Sequence, residues 1–292
     1  IDYMREHSSE RFCLFVSWGP PHDPYHLMPR HYHVHNGRCL RWRPNTHPYF
    51  RHDIAGYYSH IGALDRNLGR LLDTLEEEGI AQDTIVVFTS DHGDMLGAHG
   101  LRHKQKPWDE SIMVPFVIQW PGHLPAGARR DTLINAPDIM PTLLALMGVD
   151  IPDTVEGQDL SLAAAGAAGY EPSSAFIGSI APFHSRPHPW REWRGVRTKT
   201  HTYVETRRGP WLLYDNENDP YQMTNLIGTR EAADVQEKLR LELLGWRERL
   251  GDEFAPKEHY VRRFGYELNH RGEVTYYTQV GLHDPENASE GA

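Results

Sequence analysis

Between Thr84 and Glu110 the chain reads TIVVFTSDHGDMLGAHGLRHKQKPWDE, and that stretch concentrates groups able to do chemistry. Asp91, His92 and Asp94 arrive within four residues, with Gly93 between them, and His99, His103, Lys104 and Lys106 follow. An adjacent Asp and His offer a hard oxygen and an imidazole, the donors of a divalent-cation site. A lysine a dozen positions on supplies a compact positive charge for an anion. The same residue types would also make a charged, solvated turn, so the spacing alone leaves both readings open.

The elements around the stretch favour a site. Thr84 to Thr89 is a β-branched, apolar run of the kind that forms a buried strand. In an open α/β sheet, ligands collect beyond the carboxyl ends of the strands, where these polar groups fall. Phe12 to Ser17 predicts a second buried strand, with Cys13 as a buried thiol, stopped by the Pro20-Pro21-His22-Asp23-Pro24 turn. From His26 to His52 the chain is rich in Pro, His and Arg without periodicity, a long loop of the functional kind. Apolar residues from Ile54 to Leu75 recur at helical spacing and end at Gly79. Strand, helix and strand make a βαβ unit and so predict an α/β fold, with a mostly parallel or mixed central sheet flanked by helices.

Farther along, Val114 to Trp120 predicts a strand and Pro137 to Met147 a helix. Leu160 to Gly169 predicts a short helix and link, and the domain boundary is expected near residue 165. Strand-like segments at Ser174–Ile180, Trp193–Thr198, Thr202–Thr206 and Trp211–Tyr214 lie close together without intervening helices. They predict a small C-terminal antiparallel sheet, covered by a helix from Ala232 to Leu250. Residues 251–292 read as an extended tail.

Composition narrows the class. In 292 residues, 30 Lys and Arg stand against 40 Asp and Glu, a formal charge of −10, which argues against a nucleic-acid partner. Nineteen His raise the odds of metal or proton chemistry. Cys13 and Cys39 give neither a disulfide framework nor a zinc motif. No run has the length of a membrane-spanning helix, so no membrane partner is expected. Assembly into a homo-oligomer stays open.

Several motifs, in order, resemble the type I sulfatases of the alkaline phosphatase superfamily. Phe88-Thr89-Ser90-Asp91-His92-Gly93-Asp94-Met95-Leu96-Gly97 with His99-Gly100-Leu101 is similar to that family's second metal motif. Lys104, then Trp108-Asp109-Glu110-Ser111 and Val114-Pro115, resembles its lysine motif, and Pro21-His22-Asp23-Pro24 its histidine loop. Arg197 to Tyr203, Leu213-Tyr214-Asp215 and Asn218-Asp219-Pro220 to Leu226 resemble its C-terminal domain.

The resemblance implies a sulfuric ester hydrolase acting on a sulfate ester, either a small molecule or a saccharide. Its nucleophile would be a formylglycine made from Cys or Ser, working with one divalent cation, Ca²⁺ most of all, with Mg²⁺ or Mn²⁺ as alternatives. Asp91 and His92 become metal ligands, although Asn often stands at the second position. Lys104 and His22 become the catalytic pair on the sulfuryl oxygens and the leaving group. His99 and His103, and from the second domain His184 and Arg186, become candidates for lining the substrate pocket. Asp94 reads as a structural acid that holds the loop, and Lys106 as a solvent-facing neighbour.

One part of the family pattern is absent. The Cys- or Ser-x-Pro-Ser-Arg motif fits neither Cys13-Leu-Phe-Val nor Cys39-Leu-Arg-Trp, and Ser185-Arg186-Pro187 continues as His188-Pro189. The expectation is a C-terminal fragment of a longer enzyme that carries half the site and is inactive alone. A phosphonate monoester or phosphodiester hydrolase shares the same motifs. A two-metal relative using His22 as a ligand, or a non-catalytic binding protein with this fold, are further alternatives.

Overall fold

The structure is a computed structural model and describes residues 1–26, 40–181 and 192–268. It divides into two compact units, one of Ile1–Ser173 with Pro220–Met223, the other of Ser174–Asp219 with the chain from Thr224 onward.

The first unit is built on a long helix. After the short helix α1 (Asp2–Glu6), the 27-residue helix α2 (Arg51–Glu77) carries Leu71, Leu72 and Leu75 on one side. These pack with Met4, Phe12, Ile80, Ala81 and Val86 in a small apolar core. The helix stops where Gly79 takes a left-handed φ of 70° and the Ile80 N–H reaches back 3.0 Å to the Leu75 carbonyl. Strand β1 (Val86–Thr89) follows and pairs antiparallel with β2 (Phe116–Gln119). The turn of helix α3 (Asp109–Ile112) lies between them. Because Thr89 opposes Phe116, the end of β1 and the start of β2 share one edge, and residues 90–115 form a long loop there. Helix α4 (Ala136–Leu146) begins with a capping box of Asn135 and Asp138, and α5 (Ser161–Ala165) ends at Gly166 with φ 78°.

Two expectations fail here. Phe12 to Ser17 forms no strand, Phe15 is 89% exposed, and Cys13 is free and exposed rather than buried. A strand needs a neighbouring backbone to satisfy its amides and carbonyls, and no strand among the described residues runs beside this segment. The βαβ unit drawn from it is therefore not formed among the described residues, and the pair that is formed is antiparallel.

The second unit matches its predicted elements closely. Strands β3 (Ala175–Ser179), β4 (Trp193–Arg197), β5 (His201–Thr206) and β6 (Gly209–Asp215) make an antiparallel meander in chain order. Its register aligns Phe176, Val196, Tyr203 and Leu213 in one row across the sheet. That row packs on Leu239 and Leu243 of helix α6 (Ala233–Arg249), and Val196, Tyr203, Leu213 and Leu243 among them are inaccessible to water. Arg194, fully buried, meets Asp252 through both Nε and Nη2. Asp252 also accepts from the hydroxyl of Tyr260 in α7 (Lys257–Arg263), a helix not expected from the sequence. No helix among the described residues is long and apolar enough to cross a membrane.

Candidate active site

The loop that leaves β1 is fixed by backbone before any charge is considered. Gly93 donates 2.9 Å to the carbonyl of Ser111, and a Cβ on Gly93 would collide with the Glu110 carbonyl oxygen. Only glycine lets the Asp91-His92 turn lie this close to α3. Asp94 then acts as the loop's internal anchor. Its Oδ1 accepts from the amides of Leu96 and His103, and its Oδ2 accepts from the Tyr25 hydroxyl at 2.7 Å. Burial and the Asp94 carboxylate push the Tyr25 phenol well above its ordinary range, which keeps it a donor. Within the loop itself, Met95, Ala98 and Trp108 are buried. Lys104 stands between His103 (φ 60°) and Gln105 (φ 69°), and Leu96 and His99 are also left-handed. Four non-glycine residues in that region within ten positions mark a backbone held in place by its surroundings, as functional loops are.

The histidine loop is set against α2 by a second close approach. Tyr25 is buried, and its carbonyl oxygen lies where a Cβ on Gly56 would sit. This places His22 opposite the β1 loop. Lys104 Nζ lies 2.7 Å from His22 Nε2, across 82 residues of sequence. The rings of His22 and His92 meet edge to face with centroids 6.4 Å apart. His103 Nδ1 lies 3.7 Å from Asp23 Oδ1. The structure thus brings His22, His92, His103 and Lys104 together, with Asp91 adjoining His92.

Asp91 and His92 suit a hard divalent cation as two of its ligands. His92 Nδ1 lies 2.9 Å from the Gly93 carbonyl, an acceptor, so the proton is assigned to Nδ1 and the Nε2 lone pair is left over. That Nε2 lies 3.4 Å from Asp91 Oδ2, close enough for both to face one ion. Burial alone would raise the Asp91 carboxyl. The electrostatic interaction with His92 and the donors from His92, Asp91 and Ser90 outweigh it and hold the group below its ordinary value. Its side chain is 82% exposed. Among the described residues no group of three or more His, Cys, Asp and Glu could hold an ion, so a complete cage is not formed there.

Other sequence candidates fall elsewhere. His99 stacks on Trp108 at 5.1 Å and lies 3.2 Å from Asn45 Nδ2, turned toward a buried network rather than toward Lys104. In that network Asn45 and Arg43 both donate to Glu110 Oε1. Lys106 is not solvent-facing. It is half-buried and donates to the Lys104 carbonyl at 2.8 Å, and its pKa is lowered by burial and then by the Lys104 charge. His184 and Arg186 lie outside the described residues. Asp23, Tyr25 and Asn45 carry contacts in or beside the site that the sequence did not assign. For Asp23 the signal was its place directly after His22 between two prolines.

Comparison with known proteins adds an independent line. The Sulfatase family model matches residues 1–149, and the model described as N-sulphoglucosamine sulphohydrolase, C-terminal, matches residues 97–249. The ulvan-active sulfatase of Formosa agariphila is 39% identical over 263 residues, covering 87% of this chain and 51% of the relative. Among solved structures, yidJ of Bacteroides fragilis, described as a sulfatase, aligns with a TM-score of 0.75 at 29% identity, covering 87% of this chain and 57% of the other. The phosphonate monoester hydrolase of Agrobacterium radiobacter aligns at 0.60 and 29% identity, over 80% and 47%. The α/β class with a small antiparallel C-terminal sheet is that of the sulfatase structures. The chain spans about half the length of the curated relatives it matches.

Proposed function

The chain belongs to the sulfatase family, and on that premise we propose that it carries the Lys104, His22, Asp91 and His92 portion of a sulfuric ester hydrolase site acting on a sulfated saccharide. The observation that carries this reading is the 2.7 Å pairing of Lys104 Nζ with His22 Nε2 beside the Asp91-His92 turn. The ulvan-active relative supports a saccharide as substrate.

The residues divide the work by charge. A sulfuryl group gathers negative charge on its oxygens as the ester bond to the leaving oxygen breaks. The Lys104 ammonium is a donor-only cation held at a constrained backbone position, so it meets that charge without reorganising. His22 keeps one ammonium N–H occupied, which orients the remaining two toward the substrate. When bound, a divalent cation held by Asp91 and His92, Ca²⁺ with Mg²⁺ or Mn²⁺ as alternatives, would polarise the sulfuryl oxygens, and a formylglycine outside this chain would supply the nucleophile. His103 lies beside Lys104, with its Nδ1 3.7 Å from Asp23 Oδ1.

No Cys- or Ser-x-Pro-Ser-Arg motif occurs in the 292 residues, and the relatives are about twice as long. Both facts support reading the chain as the C-terminal part of an enzyme, unable to turn over substrate alone. The phosphonate monoester hydrolase among the structural neighbours favours one second reading, the same site acting on a phosphonate monoester. Expression from the complete reading frame, with assays on a sulfated oligosaccharide and an aryl phosphonate monoester, tests the choice. Sulfate release exceeding phosphonate cleavage supports a sulfatase, and the reverse order overturns it.

A further inference from the structure

The two ring nitrogens of His22 face partners of opposite character. Nδ1 lies 3.0 Å from the backbone oxygen of Asp23 and 3.0 Å from its carboxylate Oδ1. Both are acceptors only. Nε2 lies 2.7 Å from Lys104 Nζ, and an ammonium is a donor only. The two ends agree on a single arrangement, in which the ring proton sits on Nδ1 and the lone pair on Nε2 points at the lysine. A histidine free in water favours the other tautomer, so the site must impose this one.

From this geometry we infer that Asp23 is the positioning residue of the site. Its carboxylate sets the Nδ1–H tautomer and the ring plane of His22, so that His22 is a proton acceptor toward Lys104 and not an acid toward substrate. The same Oδ1 lies 3.7 Å from His103 Nδ1, so one carboxylate faces both His22 and His103. The consequence for function rests on reading Lys104 and His22 as the sulfuryl-binding pair. The proton nearest the leaving oxygen is then held on Lys104 Nζ, and His22 Nε2 has none to give. A chain of carboxylate, imidazole and ammonium also leaves Lys104 two N–H bonds directed away from His22. Asp23 touches neither substrate nor reacting atoms and works only through His22.

The tautomer can be read directly, without substrate or turnover. In the 292-residue chain labelled with ¹⁵N at histidine, a long-range ¹H–¹⁵N spectrum separates protonated from unprotonated ring nitrogens, and His22→Gln assigns the His22 signals. The expected result is a protonated Nδ1 and an unprotonated Nε2. A protonated Nε2 in the wild-type chain overturns the proposal. Asp23→Ala is expected to lower the Nδ1–H population of His22 while the histidines other than His103, which faces the same carboxylate, keep their positions. Retention of the full Nδ1–H pattern would assign the role to the backbone carbonyl alone and overturn the carboxylate's part. If that variant fails to fold, Lys104→Met gives a second reading. His22 keeps Nδ1–H there if Asp23 sets the tautomer, and a switch to Nε2–H would make the lysine the determinant instead. None of these outcomes depends on whether the enzyme cleaves sulfate, so failure of the tautomer and failure of the sulfatase reading remain separate results.

Discussion

Gly93→Ala isolates the contact that holds the metal-side turn against α3. Gly93 is not among the residues with positive φ, so alanine meets no backbone penalty there. The added Cβ instead overlaps the Glu110 carbonyl oxygen and lies 3.0 Å from its carbon and 3.3 Å from the Met113 oxygen. All three are backbone atoms, so no side chain can swing away. Overpacking of this kind costs about 1–3 kcal/mol, and a backbone-on-backbone collision belongs near the top of that range. Alanine returns roughly 0.4–1 kcal/mol by restricting the unfolded chain, which leaves a net loss of about 2 kcal/mol. For a unit of this size that lowers the unfolding midpoint by roughly 4–8 °C. Thermal unfolding followed by circular dichroism measures it, with Gly69→Ala as the control. Gly69 lies within α2 with open space around its Cβ position, so that variant is expected to gain roughly 0.5–1 kcal/mol. A Gly93→Ala midpoint equal to or above wild type would refute the close approach.

Other consequences are as definite. Asp252→Ala leaves the buried Arg194 without its carboxylate and is expected to destabilise the second unit by about 3–5 kcal/mol in urea unfolding. Burial alone would raise the Asp252 carboxyl, but Arg194 holds it below its ordinary value. Its folded-state pKa is therefore lower than its unfolded one. The stability it contributes is present above the unfolded carboxylate value and is lost as pH falls through the depressed folded value, so an acid titration of unfolding should show the Asp252→Ala penalty shrinking in that window. Cys13 is exposed and should react promptly with a thiol reagent in the native chain, whereas protection until unfolding would restore the buried strand. Replacing Asp91 by Asn in the complete enzyme should weaken divalent-cation affinity, read by calorimetry, and unchanged affinity would remove Asp91 from the ligand set.

What the sequence revealed followed the range of the interactions involved. Helix α2 and the four-strand meander were legible because their signals are local, an apolar spacing of three to four residues and short alternating runs between turns. Asp94 was legible as a structural acid because acids after a strand end commonly accept nearby amides. Phe12 to Ser17 was misread because strand formation depends on a ladder partner, which the segment's own residues cannot specify. The meeting of His22 with Lys104 is likewise non-local and entered only through family resemblance. Lys106 looked like a surface lysine because nothing in its neighbours says that the chain doubles back to offer it the Lys104 carbonyl. The left-handed backbone at Leu96 and Gln105 left no signal, since neither residue type favours it, and His99 and His103, of a type that tolerates it better, drew attention only for their imidazoles. Asp23 was in view between its prolines, but only the direction of its carboxylate reveals a role.

Lys104 bears most of the proposed chemistry, so the rate of sulfate release from a sulfated oligosaccharide by the Lys104→Ala form of the complete enzyme is the decisive measurement. Removal of a preorganised donor facing developing charge predicts a fall of about 10²–10³-fold in kcat, with folding unchanged. Sulfate release at the wild-type rate would show that the Lys104–His22 pair is not where the ester is cleaved.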